Sequence, residues 1–382
     1  MLIESKLPQV GTTIFTVMSK LAAEHGAINL SQGFPDFQPP PALTEKVAQA
    51  LADGRNQYAP MAGLEALRES ISRLVGSCYG VTVDPADEIT ITSGATEALF
   101  AAIQATVRIG DEVIVFDPCY DSYVPAIELA GGTPVRLPLH PRSFAVDWQR
   151  FAEALSSRTR LVVINSPHNP SGTLLSREDL DRLAELIRNR HCFVLSDEVY
   201  EHVTFDGRRH QTVVAHEELA ERAFAVSSFG KTYHATGWKV GYCIAPRPLS
   251  AELRKIHQYV TFATSTPMQY AIAEYLQEAP SHYRELGEFF AKRRDYFANG
   301  IAATAFEPLN CQGTYFQLAD YSAISELPDV DFCRWLTLEH GVAAIPISVF
   351  YANPPPDQRI VRFCFAKEDD TLDQAIQRLG AV

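Results

Sequence analysis

Three side chains and one turn in this chain stand where chemistry can be done. Lys231 lies in Ser227–Gly241 (SSFGKTYHATGWKVG), just behind an apolar run, Ala223–Val226, that reads as a strand. An amine there is either a solvated loop residue or a partly desolvated one, with a lowered pKa, able to attack a carbonyl. The GKT triplet is not the tail of a phosphate-binding loop. That motif needs a glycine five positions before Gly230, and Ala225 stands there. Asp197 ends another apolar run, Cys192–Leu195, where a carboxylate is costly unless it meets a positive partner. A helix cap or a structural ion pair is the alternative. Arg362 sits inside Ile360–Phe365 (IVRFCF), where its flat fork suits a carboxylate unless its head simply reaches water. Thr92–Leu99 (TSGATEAL) ends a strand and opens a helix, a start that is either an anion site or a plain cap by Ser93 or Thr96.

These residues need strands to carry them, and the pattern supplies them. From Glu88 onward short β-rich runs alternate with helical stretches. The strand candidates are Ile89–Thr92, Glu112–Phe116, Val135–Leu139, Leu161–Asn165, Phe193–Ser196, Ala223–Ser227 and Val240–Ala245. Helices such as Thr96–Arg108, Trp148–Leu155 and Arg177–Arg190 lie between them. The alternation predicts an α/β fold with a mainly parallel sheet covered on both faces, and such sheets place ligands at the carboxyl ends of their strands. Upstream, Asn29–Pro41 (NLSQGFPDFQPPP) reads as a stiff extended loop over a pocket, between helices at Thr16–His25 and Leu43–Gly54, with a third at Leu64–Tyr79. Downstream come helices near Ala251–Tyr259, Met268–Gln277 and His282–Ala298. A small α+β part follows, with strands at Thr314–Asp320 and Arg359–Ala366 and helices at Asp331–Glu339 and Leu372–Leu379. The expected division is an N-terminal arm and small-domain segment over 1–45, a large domain over 46–248, and a connecting helix with a C-terminal small domain over 249–382.

Composition narrows the function classes. A net charge of −13 argues against a nucleic-acid or anionic-membrane surface. No apolar run approaches the roughly 18–20 residues of a membrane span, and the first residues lack a charged-then-apolar signal pattern. Seven scattered cysteines without a CxxC pair suit a reducing compartment, so a cytoplasmic protein is expected. No metal site is expected, because the histidines show no HxxxH pair and the one HxxE spacing, His282 to Glu285, reads as an exposed helix start. A dinucleotide fingerprint is missing as well.

The stretch around Lys231 resembles the lysine segment of class I/II aminotransferases, the fold-type-I enzymes that use pyridoxal 5′-phosphate, and companion motifs follow in family order from Gly33 to Arg362. The resemblance implies a large domain built on a seven-stranded sheet and a smaller α+β domain. It implies that Lys231 holds the cofactor as a Schiff base and then shuttles the α-proton, and that Ser228 binds the phosphate with Gly94, Ala95 and Thr96. Tyr120 would stack on the cofactor ring, Asn169 of the NPxG piece and Tyr200 would meet its phenolic oxygen, and Asp197 would pair with its ring nitrogen. His168 is read as a turn residue. Tyr58 of Asn56-Gln57-Tyr58 would reach the partner's phosphate in a homodimer. Gly33 and Arg362 would meet the substrate carboxylate, with Phe15, Phe34, Tyr120, Tyr315 and Phe350 as an apolar, aromatic wall. One departure stands out: family members mostly carry an arginine on the phosphate eight residues after the lysine, and here it is Lys239, a charge without a fork.

The segments QGFPDF, SPHNPSG, SDEVYEH, SSFGKTY and IPISVF look most like methionine and kynurenine/glutamine aminotransferases. The expected function is ping-pong transfer of the amino group of an apolar or aromatic amino acid, methionine favoured, to a 2-oxo acid. A kynurenine/glutamine aminotransferase or a cysteine-conjugate C–S β-lyase of the same fold is the alternative.

Overall fold

The structure, a computed structural model, describes residues 3–382. Its centre is a seven-stranded sheet in the order Ile89–Thr92, Gly241–Ile244, Ala223–Ser228, Phe193–Asp197, Thr159–Asn165, Glu112–Asp117, Thr133–Pro138. Gly241–Ile244 runs antiparallel to both neighbours and every other pairing is parallel. The inner strands are near-continuous apolar runs (EVIVFD, RLVVIN, AFAVSS) because both faces are buried. Alternate residues serve opposite faces. Val113, Val115, Leu161 and Val163 pack under the helix Gly94–Thr106, while Ile114, Val162 and Ile164 join Leu180, Leu183 and Ile187 of the helix Arg177–Ile187. The outer strand Thr133–Pro138 carries two prolines, which an edge tolerates.

A four-stranded antiparallel sheet, Ile345–Pro346, Ile360–Cys364, Phe316–Asp320, Glu307–Pro308, forms the second layer. Ile28–Asn29 pairs with Val342–Ala343, which ties the start of the chain to its last third. The helices Arg247–Val260 and Thr266–Glu278 pack back on Gly94–Thr106 and on Pro41–Ala52 and Glu65–Tyr79.

The strands at Thr92, Asp117, Asn165, Asp197 and Ser228 all end on one edge of the large sheet. Differences from the sequence reading are local. The helix Tyr123–Leu129 was not anticipated, since Pro125 interrupts its apolar period. Strand Phe316–Asp320 begins after Thr314, whose left-handed backbone (φ 67°) keeps it out of the ladder. His282 is not exposed. It sits in the first turn of Pro280–Ala302, half-buried against Tyr233 and His234, with Nε2 donating to the Thr232 carbonyl at 2.9 Å. The aromatic cluster it caps could not be read from the HxxE spacing.

Candidate active site

Lys231 follows strand Ala223–Ser228 in a four-residue helical turn, Phe229–Thr232. Gly230 is required in that turn, because a Cβ there would lie 2.9 Å from the Thr236 Cα. The Lys231 amine donates to the Tyr315 hydroxyl at 2.9 Å and to the Gly33 carbonyl at 3.2 Å. Burial pulls its pKa down to about 8.

Asp197, the last residue of its strand, is buried, and burial pushes its carboxyl up to about 6. Its side-chain partners are the Tyr123 hydroxyl at 2.7 Å and the Val199 amide at 3.4 Å; neither is a cation. Asn165 ends the neighbouring strand and joins two parts of the site. Its Nδ2 donates to the Asp197 carbonyl at 2.8 Å, and its Oδ1 accepts from the Asn169 amide at 2.8 Å.

Arg362 is fully buried in strand Ile360–Cys364, opposite Leu318 and Ile345. One nitrogen donates to Asn169 Oδ1 at 2.8 Å and another to the Ser31 carbonyl at 3.0 Å. The guanidinium lies 3.9 Å from the Phe316 ring centre and 5.2 Å from that of Phe15. Its Nε has no partner, and burial lowers its pKa from the ordinary value. A buried cation held on two sides, with a donor to spare, is set to receive an anion. Asn169 is oriented by the same contact, since its Oδ1 is taken and its amide N–H groups are left for the cavity.

The helix Gly94–Thr106 starts without a side-chain cap, so its first N–H groups are available to an anion. Gly94 has φ 74°, and a Cβ on it would stand 3.2 Å from the Lys239 Cε and Nζ. Lys239, itself left-handed at φ 55° after the turn Thr236–Trp238, is thereby laid against the helix start. Ser228 and Thr236 line the same cavity as Gly94 and Lys239.

These groups share one cavity of about 310 Å³. Its lining takes in Gly94, Ala95, Thr96, Ser228 and Lys239, then Tyr120, Asp197 and Tyr200, and Gly33, Phe15, Asn169 and Arg362. Phe34 borders it too. Tyr315 does not form open wall; its ring is fully buried against Tyr200, and only its hydroxyl reaches Lys231. Phe350 also stands behind the lining, against Phe15, its carbonyl held by Arg136 at 2.8 Å. Tyr58 lies elsewhere, 82% exposed and edge-on to Phe262. His168 is a buried turn residue bonded to Ser171 at 2.6 Å, and burial lowers its pKa to about 4. Tyr123, Asn165, Thr236 and Phe316 escaped the sequence reading. For Tyr123 the only signal was its place three residues after Tyr120. Among the described residues no cluster of three or more His, Cys, Asp or Glu could hold a metal ion, and no helix is long and apolar enough to cross a membrane.

Comparison with known proteins agrees with this geometry. Residues 25–379 match the family described as aminotransferase class I and II. A methionine aminotransferase of Escherichia coli (strain K12) is 57% identical over 376 residues, covering 98% of this chain and 97% of that protein. A kynurenine–oxoglutarate transaminase of Dictyostelium discoideum is 33% identical over 407 residues, covering 97% and 94%. A solved Escherichia coli structure, with an identified methionine aminotransferase function, superposes with a TM-score of 0.98 at 56% identity over 100% of both chains. N-succinyldiaminopimelate aminotransferase from Mycobacterium tuberculosis gives a TM-score of 0.96 at 40% identity, again over 100% of both. A fold-type-I sheet with a carboxylate and an amine at its carboxyl edge, facing an arginine from the smaller sheet across one cavity, thus has its place: the chain belongs to the class I and II aminotransferases.

Proposed function

We propose that this aminotransferase works with pyridoxal 5′-phosphate and takes methionine as its preferred amino donor. The observation that carries the reading is the meeting of Lys231, Asp197 and Arg362 on one cavity. The residues fit the cofactor group by group. The uncapped helix start with Lys239 and Ser228 suits a phosphate. Asp197, buried without a cation, suits a protonated ring nitrogen, and the pairing would favour its charged form. Tyr120 offers an aromatic face, and Asn169 and Tyr200 offer donors to a phenolic oxygen. When bound, the cofactor supplies an aldehyde carbon and an electron-accepting ring.

The chain's own residues bind, orient and move a proton. Arg362 grips the substrate carboxylate, and Asn169 and the Ser31 carbonyl fix the plane of its fork. A pKa of about 8 leaves a working fraction of Lys231 neutral, so that its amine can take the proton from the substrate α-carbon and return it. Amino acid and 2-oxo acid then alternate in one cavity, which is ping-pong kinetics.

Arg362 is the one arginine among the described residues that line the cavity, and Phe15, Phe34, Tyr120 and Phe316 are aromatic. An apolar side chain suits that wall better than a second carboxylate. The aromatic rings also accommodate kynurenine, in keeping with the 33% identical transaminase, and a C–S β-lyase remains the second chemistry for the same residues. A donor panel decides. Methionine should exceed kynurenine, glutamine and aspartate in kcat/KM with 2-oxo acid formed, and aspartate outrunning methionine overturns the assignment. Release of pyruvate and ammonia from a cysteine conjugate would mark the lyase.

A homodimer completes the reading. Tyr58 and Phe262 form an exposed aromatic pair suited to a second copy, with Tyr58 reaching that copy's phosphate site. Sedimentation of a monomer would contradict it. The seven free cysteines suit the cytoplasm. Sheet membership supports a three-part division, with residues 45 and 248 falling inside the helices Pro41–Ala52 and Arg247–Val260. The large sheet spans residues 89–244 and the four-stranded sheet residues 307–364, with Ile28–Asn29 paired to Val342–Ala343.

A further inference from the structure

Tyr315 is fully buried, yet its hydroxyl touches the reactive amine. A phenol has one hydrogen, and here it is directed at the Gly33 carbonyl, 2.7 Å away. The phenol oxygen therefore faces the Lys231 amine, 2.9 Å away, as an acceptor. The Gly33 carbonyl is a second acceptor for the same amine at 3.2 Å. A neutral primary amine has two hydrogens and one lone pair. The two acceptors lie 2.7 Å apart on one side of the nitrogen, so they draw the amine hydrogens to that side and turn the lone pair away from Tyr315 and Gly33, toward the cavity that Lys231 lines.

We propose that Tyr315 and the Gly33 carbonyl form a two-acceptor saddle that aims the Lys231 lone pair at the substrate α-carbon, which makes Tyr315 a positioning residue for proton transfer. The inference rests on the reading of Lys231 as the base. The saddle is rigid on both sides. The Tyr315 ring is held edge-on by Tyr200 at 5.1 Å and Phe316 at 5.0 Å, and its carbonyl accepts from the Phe365 amide at 3.0 Å. The Gly33 carbonyl is bracketed along the chain. Arg362 binds the Ser31 carbonyl at 3.0 Å, and Lys367 binds that of Phe34 at 2.8 Å. Nor is there room for a side chain at position 33, where a Cβ would lie 2.8 Å from the Phe316 ring. During transfer the proton leaving the α-carbon becomes the third N–H of the amine. The C–H bonding pair stays with the substrate, and the two saddle contacts need not change.

The test is Tyr315→Phe, which keeps the ring and removes the acceptor. The expected result is a kcat for methionine lower by about 10–100-fold at unchanged KM, as for a base left unaimed. The deuterium isotope effect with α-deuterated methionine should rise as proton transfer becomes limiting. In cofactor-stripped protein, the pH dependence of acetic anhydride labelling at Lys231, read by mass spectrometry, should shift to lower pH. The ammonium form loses an acceptor that the amine needs less. A wild-type labelling curve and isotope effect in the variant overturn the proposal. Turnover retained by Lys231→Ala would instead remove the base reading and leave the labelling result standing. Should the phenylalanine variant fail to fold, 3-fluorotyrosine at position 315 weakens the oxygen as an acceptor and gives the same readouts in smaller measure.

Discussion

Two groups of buried ionisable residues lie back to back at the end of one strand. Asp197 faces the cavity; Glu198, its neighbour, and Glu201 face the other way, into the packing behind the sheet. Each carboxylate of the second group is fully partnered. Glu201 accepts from the hydroxyls of Tyr242 (2.8 Å), Ser227 and Tyr79. Glu198 accepts from Ser196 at 2.8 Å, the Val213 amide at 3.0 Å and the His210 imidazole at 2.8 Å. Burial pushes the Glu201 carboxyl up, but the His202 and His210 imidazoles and the Ser227 and Tyr79 hydroxyls outweigh it and hold it below its ordinary value. Burial likewise pulls His210 down, and Glu198 and Glu201 together more than reverse that. In the cavity the opposite holds. Asp197 is raised and Lys231 and Arg362 are lowered, burial being the main cause each time. Charges that stabilise the fold are satisfied within the chain; those left short of partners are the ones that await a ligand.

That contrast can be broken by substitution. The largest effect should come from Lys231→Ala, expected to lower turnover by roughly 10⁴-fold and to remove visible absorbance from the purified protein. Next comes Asp197→Asn, which should abolish useful activity yet stabilise the cofactor-free protein. Its raised carboxyl contributes stability that is fully present below the unfolded pKa of 3.8 and is lost as pH rises through about 6. Between about pH 4 and pH 7 the wild type should therefore lose roughly 3 kcal/mol that the asparagine variant keeps, as read by denaturant unfolding. Arg362→Lys retains the charge and loses the fork, and kcat/KM should fall by about 10–100-fold, the worth of one charge-assisted hydrogen bond. On the other side of the strand the signs reverse. Glu201→Gln puts an amide among three hydroxyl donors and should cost about 1–3 kcal/mol of stability with KM for methionine unchanged.

Much of the fold was legible because its strands are long apolar runs with turn residues at their ends. The seven strand candidates from Ile89 to Ala245 correspond one for one to the strands of the large sheet. Lys231, Asp197 and Arg362 were legible because a charge beside or inside such a run is chemically conspicuous. Their contacts were not. Nothing in the spacing of Tyr123 from Asp197, or of Tyr315 from Lys231, says that their side chains meet, since helix orientation and strand register decide it. The two-residue pairings of Ile28–Asn29 and Ile345–Pro346 are too short to show any period. The misreading of His282 has the same origin, because its partners come from the turn at Thr232 and Tyr233, far away in the chain.

The most direct test of the central claim is a spectral titration of the purified protein with methionine. The account predicts a visible cofactor band that methionine bleaches with stoichiometric release of its 2-oxo acid, that a second 2-oxo acid restores, and that Lys231→Ala lacks. A protein that converts methionine while its spectrum shows no such band, or while the band stays unchanged, would contradict it.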